Sequence, residues 1–185
     1  MLQNALNQSK IYLKEIIEPG DVVVDATAGN GHDTLYLAKL VTPSGKVVAF
    51  DIQQAAVEST KQRLSSAGVE HAEVILAGHE RMEEFISQDV RAVVFNLGYL
   101  PGADHTVTTE SSKTIQAIEA ALRLLVVKGR IVLVIYHGHQ TGKIERSAVL
   151  DFVATLPQEQ YQVLHSAFLN QQNSPPELVV IERKN

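Results

Sequence analysis

The sequence predicts an α/β fold: a doubly wound sheet of seven strands, mostly parallel, ending in an antiparallel strand. Three observations predict it. Short apolar, β-branched runs alternate with amphipathic segments along the 185 residues, which is the pattern of βαβ units. The run Arg130 to Tyr136 is almost unbroken apolar sequence, as expected of a strand covered on both faces. Finally, Gln171-Gln-Asn-Ser-Pro-Pro176 separates the last two strand-like runs and is too short to hold a crossover helix, so those strands pair antiparallel.

The elements follow in order. Asp21 to Ala26 forms the first strand, and a helix from about Asn30 to Val41 closes on the turn Thr42-Pro-Ser-Gly45. The second strand, Lys46 to Asp51, precedes a helix from about Gln53 to Ala67. A third strand near Ala72 to Ala77 leads to a short helix around Arg81 to Ile86, and the fourth strand runs Ala92 to Asn96. Leu97 to Thr109 is irregular and long for an α/β connection, which marks a functional loop. A helix from about Ser111 to Val126, the fifth strand, a helix near Glu145 to Leu156, and strands at about Tyr161 to Asn170 and Leu178 to Arg183 complete the chain. No repeat or linker interrupts it, so residues 1–185 are expected to form one domain.

Composition narrows the function classes. With no cysteine, disulfides, thiolate metal sites and cysteine nucleophiles are excluded. Hydrophobic residues at 45% and charged residues at 20% describe a globular protein, and no apolar run reaches the roughly 20 residues of a membrane span. The segment Met1 to Lys14 lacks the basic-then-apolar order of a signal peptide, so cytoplasmic residence is expected. A net charge of −5 sits uneasily with nucleic acid, although Lys113, Arg123, Lys128, Arg130, Lys143 and Arg146 are positioned to form a local basic patch if they gather.

In such sheets ligands bind at the carboxyl ends of the strands near the reversal of strand order. The first strand ends in Asp25-Ala-Thr-Ala-Gly-Asn-Gly-His-Asp-Thr34, where Gly29 and Gly31 permit positive φ and the next helix offers free N–H groups to a carboxylate. Position 34 is threonine, so the three-glycine dinucleotide fingerprint is incomplete, and no Gly-Lys-Ser/Thr follows. Asp51, about 20 residues after Gly31, is placed to accept ribose hydroxyls. Gly78-His79-Glu80 is placed to edge an adenine. Together with an antiparallel ending, which a plain dinucleotide-binding fold lacks, these features resemble the Rossmann-like class I S-adenosylmethionine-dependent methyltransferases. The resemblance implies cofactor contacts at Asp25, Ala28, Gly29, Asn30, Gly31, Asp33, Thr34, Asp51, Gln53, His79 and Asn96, with Asp25 receiving the cofactor ammonium directly or through water.

The fourth strand ends in Asn96-Leu-Gly-Tyr-Leu-Pro-Gly102, which resembles the Asn/Asp-Pro-Pro-Tyr loop of amino-methyltransferases with Leu97 and Gly98 in place of the prolines. An amine whose N–H bonds are taken by the Asn96 oxygen and a backbone carbonyl has its lone pair aimed for in-line attack. Tyr99 can pack on a planar base or favour the methyl cation. A primary alkylamine must first lose a proton, at a cost of about 4–5 kcal/mol near neutrality. Asp33, Asp104, His105, His137 and His139 are candidate proton acceptors or orienters; Asn96, Tyr99, Asp104 and His105 are the catalytic candidates. His137-Gly-His139 has no third ligand at a recognisable spacing, so no metal site is expected.

The full set adds Phe50-Asp-Ile-Gln53, Phe95 to Gly102, Tyr136-His-Gly-His139, Phe168-Leu-Asn-Gln-Gln172 and Pro175-Pro176, and closely resembles one small bacterial family labelled as rRNA methylases. That family is now associated with methylating the aminomethyl group of 5-aminomethyl-2-thiouridine at the tRNA wobble position. The resemblance covers nearly the whole chain and departs at Ala103, where members often carry glycine. It implies a cytoplasmic, dimeric enzyme acting on the tRNA anticodon loop. Rivals are an rRNA or small-molecule methyltransferase using the same pocket, and a Rossmann-like sensor of NAD or adenosine without chemistry. An intact Asn96 to Gly102 loop favours an enzyme over a sensor.

Overall fold

The structure is a computed structural model that describes residues 2–98 and 110–185. Its elements are α1 (Ala5–Lys14), β1 (Val22–Asp25), α2 (His32–Val41), β2 (Lys46–Asp51), α3 (Gln54–Ser66) and β3 (Ala72–Leu76). A 3-10 turn (His79–Arg81) then runs into α4 (Met82–Phe85), followed by β4 (Val90–Leu97), α5 (Ser111–Leu124), β5 (Leu125–Ile135), α6 (Gln140–Ala154), β6 (Tyr161–Ser166) and β7 (Glu177–Arg183).

The seven strands form one sheet in the order β3-β2-β1-β4-β5-β7-β6, with parallel pairing from β3 through β5 and β7 antiparallel to both its neighbours. The expected antiparallel ending is present. The last strand does not sit at the edge, however; it is inserted between β5 and β6. Burial accounts for this. Leu178, Val179, Val180 and Ile181 are covered on both faces, whereas β6 alternates half-buried and exposed residues and suits an edge.

Alternation along the strands divides the core into two layers. Val48, Phe50, Phe95 and Leu133 pack against Ile118 of α5 and Val149 and Val153 of α6. On the other face Val23, Val47, Val94 and Val134 meet Leu13, Leu37 and Val41 of α1 and α2, and Val57 and Leu64 of α3 cover Ala49 and Val74. Three helices therefore lie on each face. β1 feeds α2 on one face and β4 feeds α5 on the other, so the sheet reverses between these neighbours and opens a crevice at their carboxyl ends.

Three boundaries moved by four residues or more, β6 ending at Ser166 and not near Asn170, and one helix was not expected. β5 starts at Leu125, because Val126-Val127 continue as strand and Lys128 (φ 63°) with Gly129 makes an irregularity opposite Val90 and Ala92. α6 begins at Gln140, five residues before its expected start. α1 occupies sequence that shows too little apolar periodicity to announce a helix: only Ala5, Ser9 and Leu13, at spacings of four, are buried. Asn4 caps it by accepting the Asn7 N–H at 2.8 Å. Arg130 anchors its far end, donating to the Tyr12 carbonyl (2.9 Å), Glu15 (2.7 Å) and Glu182 (2.7 Å).

Leu13 is 2% exposed, so α1 belongs to the core. Leu13→Ala is expected to lower unfolding stability by about 2–5 kcal/mol in denaturant titrations. An unchanged midpoint would show that α1 is only loosely attached.

Candidate functional site

The crevice is lined first by the loop after β1. Gly29 (φ 52°) and Gly31 (φ 76°) take left-handed conformations, and Gly31 occupies the N-cap position of α2, where no side-chain cap bonds the first turn. The neighbouring elements hold this loop in shape. The Asp51 carboxylate at the end of β2 accepts the Gly29 N–H at 2.9 Å with one oxygen and the Gln53 N–H at 2.9 Å with the other. From α3, Thr60 donates to the Gly29 carbonyl (3.0 Å) and Arg63 to the Asn30 carbonyl (2.6 Å). A Cβ on Gly31 would stand 2.9 Å from the Thr60 Cα, so glycine is required there for packing as well as for φ.

Beneath the loop, Asp25 is fully buried and accepts the Thr27 N–H (3.1 Å) and the Thr34 hydroxyl (2.7 Å). Burial, reinforced by the nearby charge of Asp33, pushes its pKa up to about 7, against the two hydrogen bonds that favour the carboxylate. Asp25 and Thr34, both expected at the cofactor, have buried side chains that bond to each other beneath the loop.

Asn96 stands on the acceptor side. Its backbone N–H donates to the Thr27 hydroxyl (2.7 Å), and its side-chain Nδ2 donates to Asp33 Oδ2 (2.8 Å). A carboxylate oxygen accepts, so the nitrogen end of the amide faces Asp33 and the carbonyl oxygen is turned away from it. His79, 9% exposed, makes a 3.0 Å hydrogen bond through Nδ1 to the Ala26 carbonyl and packs edge-on to Phe95. Burial holds its pKa below the usual histidine value, so the ring is neutral, Nδ1 carries the proton and Nε2 is left as an acceptor.

The structure thus brings Asp25, Ala28, Gly29, Asn30, Gly31, Asp33, Thr34, Asp51, Gln53, His79 and Asn96 to one edge of the sheet. Tyr99, Asp104 and His105 lie outside the described residues. Sequence reasoning missed Thr60 and Arg63, which carry no local signal because they clamp the loop from about thirty residues away. It also missed Ile52, an apolar side chain 60% exposed beside Asp51. Four of the six basic residues are ion-paired: Lys113 with Glu110, Arg123 with Glu83, Arg130 with Glu15 and Glu182, and Arg146 with Glu177. His137 faces the Pro175 carbonyl at 3.0 Å and Glu177 at 3.3 Å.

Residues 47–182 match the family model described as "Putative rRNA methylase". A chloroplastic tRNA (mnm(5)s(2)U34)-methyltransferase of Arabidopsis thaliana is 36% identical over 194 residues, spanning 99% of this chain and 71% of that protein. The crystal structure of a "putative rRNA-methylase" from Clostridium thermocellum superposes with a TM-score of 0.98 at 44% identity, covering 99% of each chain. A "putative methyltransferase" from Streptococcus mutans, solved in complex with SAH (S-adenosylhomocysteine), superposes with a TM-score of 0.92 at 36% identity, again over 99% of each chain.

The Asp25 shift has a consequence for stability. Its carboxyl titrates near 3.8 when exposed and near 7 when folded, so the folded chain holds the proton more tightly. The associated stability is complete below about pH 4 and is lost as pH rises through about 7. Wild type should therefore lose stability relative to Asp25→Asn across that window in thermal melts. Parallel stability curves for the two proteins would show that Asp25 titrates normally.

Proposed function

Since the chain belongs to this rRNA methylase family and is an S-adenosylmethionine-dependent methyltransferase, we propose that its acceptor is a primary amine: the aminomethyl group of 5-aminomethyl-2-thiouridine at the tRNA wobble position. The observation that carries this reading is the Asp33–Asn96 hydrogen bond, which turns the amide oxygen of Asn96 outward as an acceptor for an N–H. Three carboxylates, Asp25, Asp33 and Asp51, also gather at the edge, and Asp33 and Asp51 give it the negative potential that suits an ammonium. The printed name of the Arabidopsis relative points the same way.

The groups present fit the cofactor. When bound, it supplies an electrophilic methyl group on a sulfonium. In this reading the Gly29–Gly31 backbone and the first turn of α2 receive its carboxylate. Asp51, whose oxygens keep lone pairs beyond the two N–H groups they accept, holds the ribose hydroxyls with Gln53 beside it. Ile52 and His79 flank the adenine. Asn96 would accept an N–H of the neutral amine and so aim the nitrogen lone pair at the methyl group the cofactor would supply; the methylated nitrogen is then a secondary ammonium, which gives up one proton to solvent to become the secondary amine. Residues 1–185 act as one domain in a homodimer on the anticodon loop, in the cytoplasm; no described helix is long and apolar enough to cross a membrane. Loop bases splayed onto the protein need few phosphate contacts, which accommodates the net charge of −5.

Asp51→Ala should weaken S-adenosylmethionine at least about tenfold in calorimetry, through loss of charge-assisted hydrogen bonds and of the tie to Gly29. An unchanged dissociation constant would remove Asp51 from the ribose site. The deciding assay offers purified enzyme labelled cofactor and tRNA carrying the unmethylated aminomethyl nucleoside. Transfer to that amine is expected, with a single-turnover rate that rises with pH until the bound amine's pKa is passed. Asn96→Ala should cut the rate at least about a hundredfold while leaving cofactor affinity nearly intact. Transfer only to rRNA or to free nucleoside would overturn the substrate, and a fully active Asn96→Ala would place the acceptor elsewhere.

A further inference from the structure

We infer that Tyr136 is the acceptor-side wall of the site, a specificity residue whose ring stacks on the planar base that bears the reactive amine. The inference rests on the substrate reading above, in that it takes the acceptor to be a nucleobase.

Ile131 to Ile135 of β5 are all buried, and the next residue, Tyr136, emerges 37% exposed at the crevice edge. Its N–H donates to the Leu97 carbonyl at 2.9 Å, which carries the β4–β5 pairing one step beyond the strand and sets Tyr136 against Gly98. Gly98 has φ 141°, and a Cβ there would lie 3.1 Å from the Tyr136 Cβ. A side chain at position 98 would therefore press on the Tyr136 Cβ from which the ring projects.

Strand alternation decides which way the ring faces. Val132 and Val134 belong to the layer with Leu13 and Leu37, and Tyr136 continues that series. Asn96 lies opposite Val134 in the β4–β5 register, so it shares the face, and Asp33 reaches it from α2. Burial, and then the charge of Asp33, push the Tyr136 hydroxyl above its ordinary pKa, which keeps the phenol neutral and places it within the field of that carboxylate. The amide, the carboxylate and the ring thus converge from β4, α2 and β5.

The division of labour follows from chemistry. Asn96 and Asp33 can recognise an amine and its charge, but neither has a surface for the flat ring to which the amine is attached. A half-exposed aromatic beside them supplies one, as aromatic platforms do for single-stranded bases. Topology separates this ring from the proposed adenosine side: Asp51 and His79 follow β2 and β3, while Tyr136 follows β5, on the opposite side of the β1–β4 reversal.

The test compares full-length wild type with Tyr136→Phe, Tyr136→Leu and Tyr136→Met, using tRNA carrying the unmethylated nucleoside, with SAH affinity and melting temperature measured alongside. Loss of the ring in the Leu and Met variants should raise KM for tRNA at least about tenfold, the scale of one lost base stack. SAH affinity and melting temperature should stay at wild-type values, and Tyr136→Phe should keep the wild-type KM. Unchanged KM in Leu and Met would overturn the inference, as would an equal rise in Phe or a loss confined to SAH affinity. If wild type itself leaves this tRNA unmethylated, the substrate reading fails and the inference falls with it.

Discussion

One hydrogen-bonded circuit ties the glycine loop after β1 to the end of β4. Buried Asp25 accepts from the Thr27 N–H and the Thr34 hydroxyl, the Thr27 hydroxyl accepts the Asn96 N–H, and the Asn96 side chain returns to Asp33 one residue before Thr34. Because β1 and β4 are neighbours at the point where strand order reverses, the circuit spans the crevice floor. The loop after β1 and the end of β4 therefore keep a common register, which an in-line transfer between groups held on the two would demand more strictly than binding does.

Around this circuit the electrostatics separate by burial. Asp25 sits buried beneath the loop with its pKa pushed up to about 7, and the carboxylates that reach the surface are Asp33 and Asp51. Arg63 donates to the Asn30 carbonyl and faces His32 at 3.2 Å, supporting the backbone of the loop after β1. Several of the other cations are ion-paired, as in the Arg146–Glu177 pair, where Glu177 also meets His165 at 2.8 Å.

What the sequence by itself determined is what local periodicity and turn chemistry record. The alternation of strands and helices, the short Gln171 to Pro176 connection that forces an antiparallel pair, the two glycines before α2, Asp51 at the end of β2 and Asn96 at the end of β4 are all statements about neighbours along the chain. Only the tertiary structure decided the contacts between distant segments. It inserted β7 between β5 and β6, docked α1 through a single buried leucine and Arg130, and brought Thr60 and Arg63 onto a loop about thirty residues earlier. It also buried Asp25 and Thr34, whose types alone read as ligand contacts. The physical reason is the same in each case: burial and hydrogen-bond partnership are set by which surfaces the layers bring together, and nothing in the local pattern of a segment records the face of the element that will cover it.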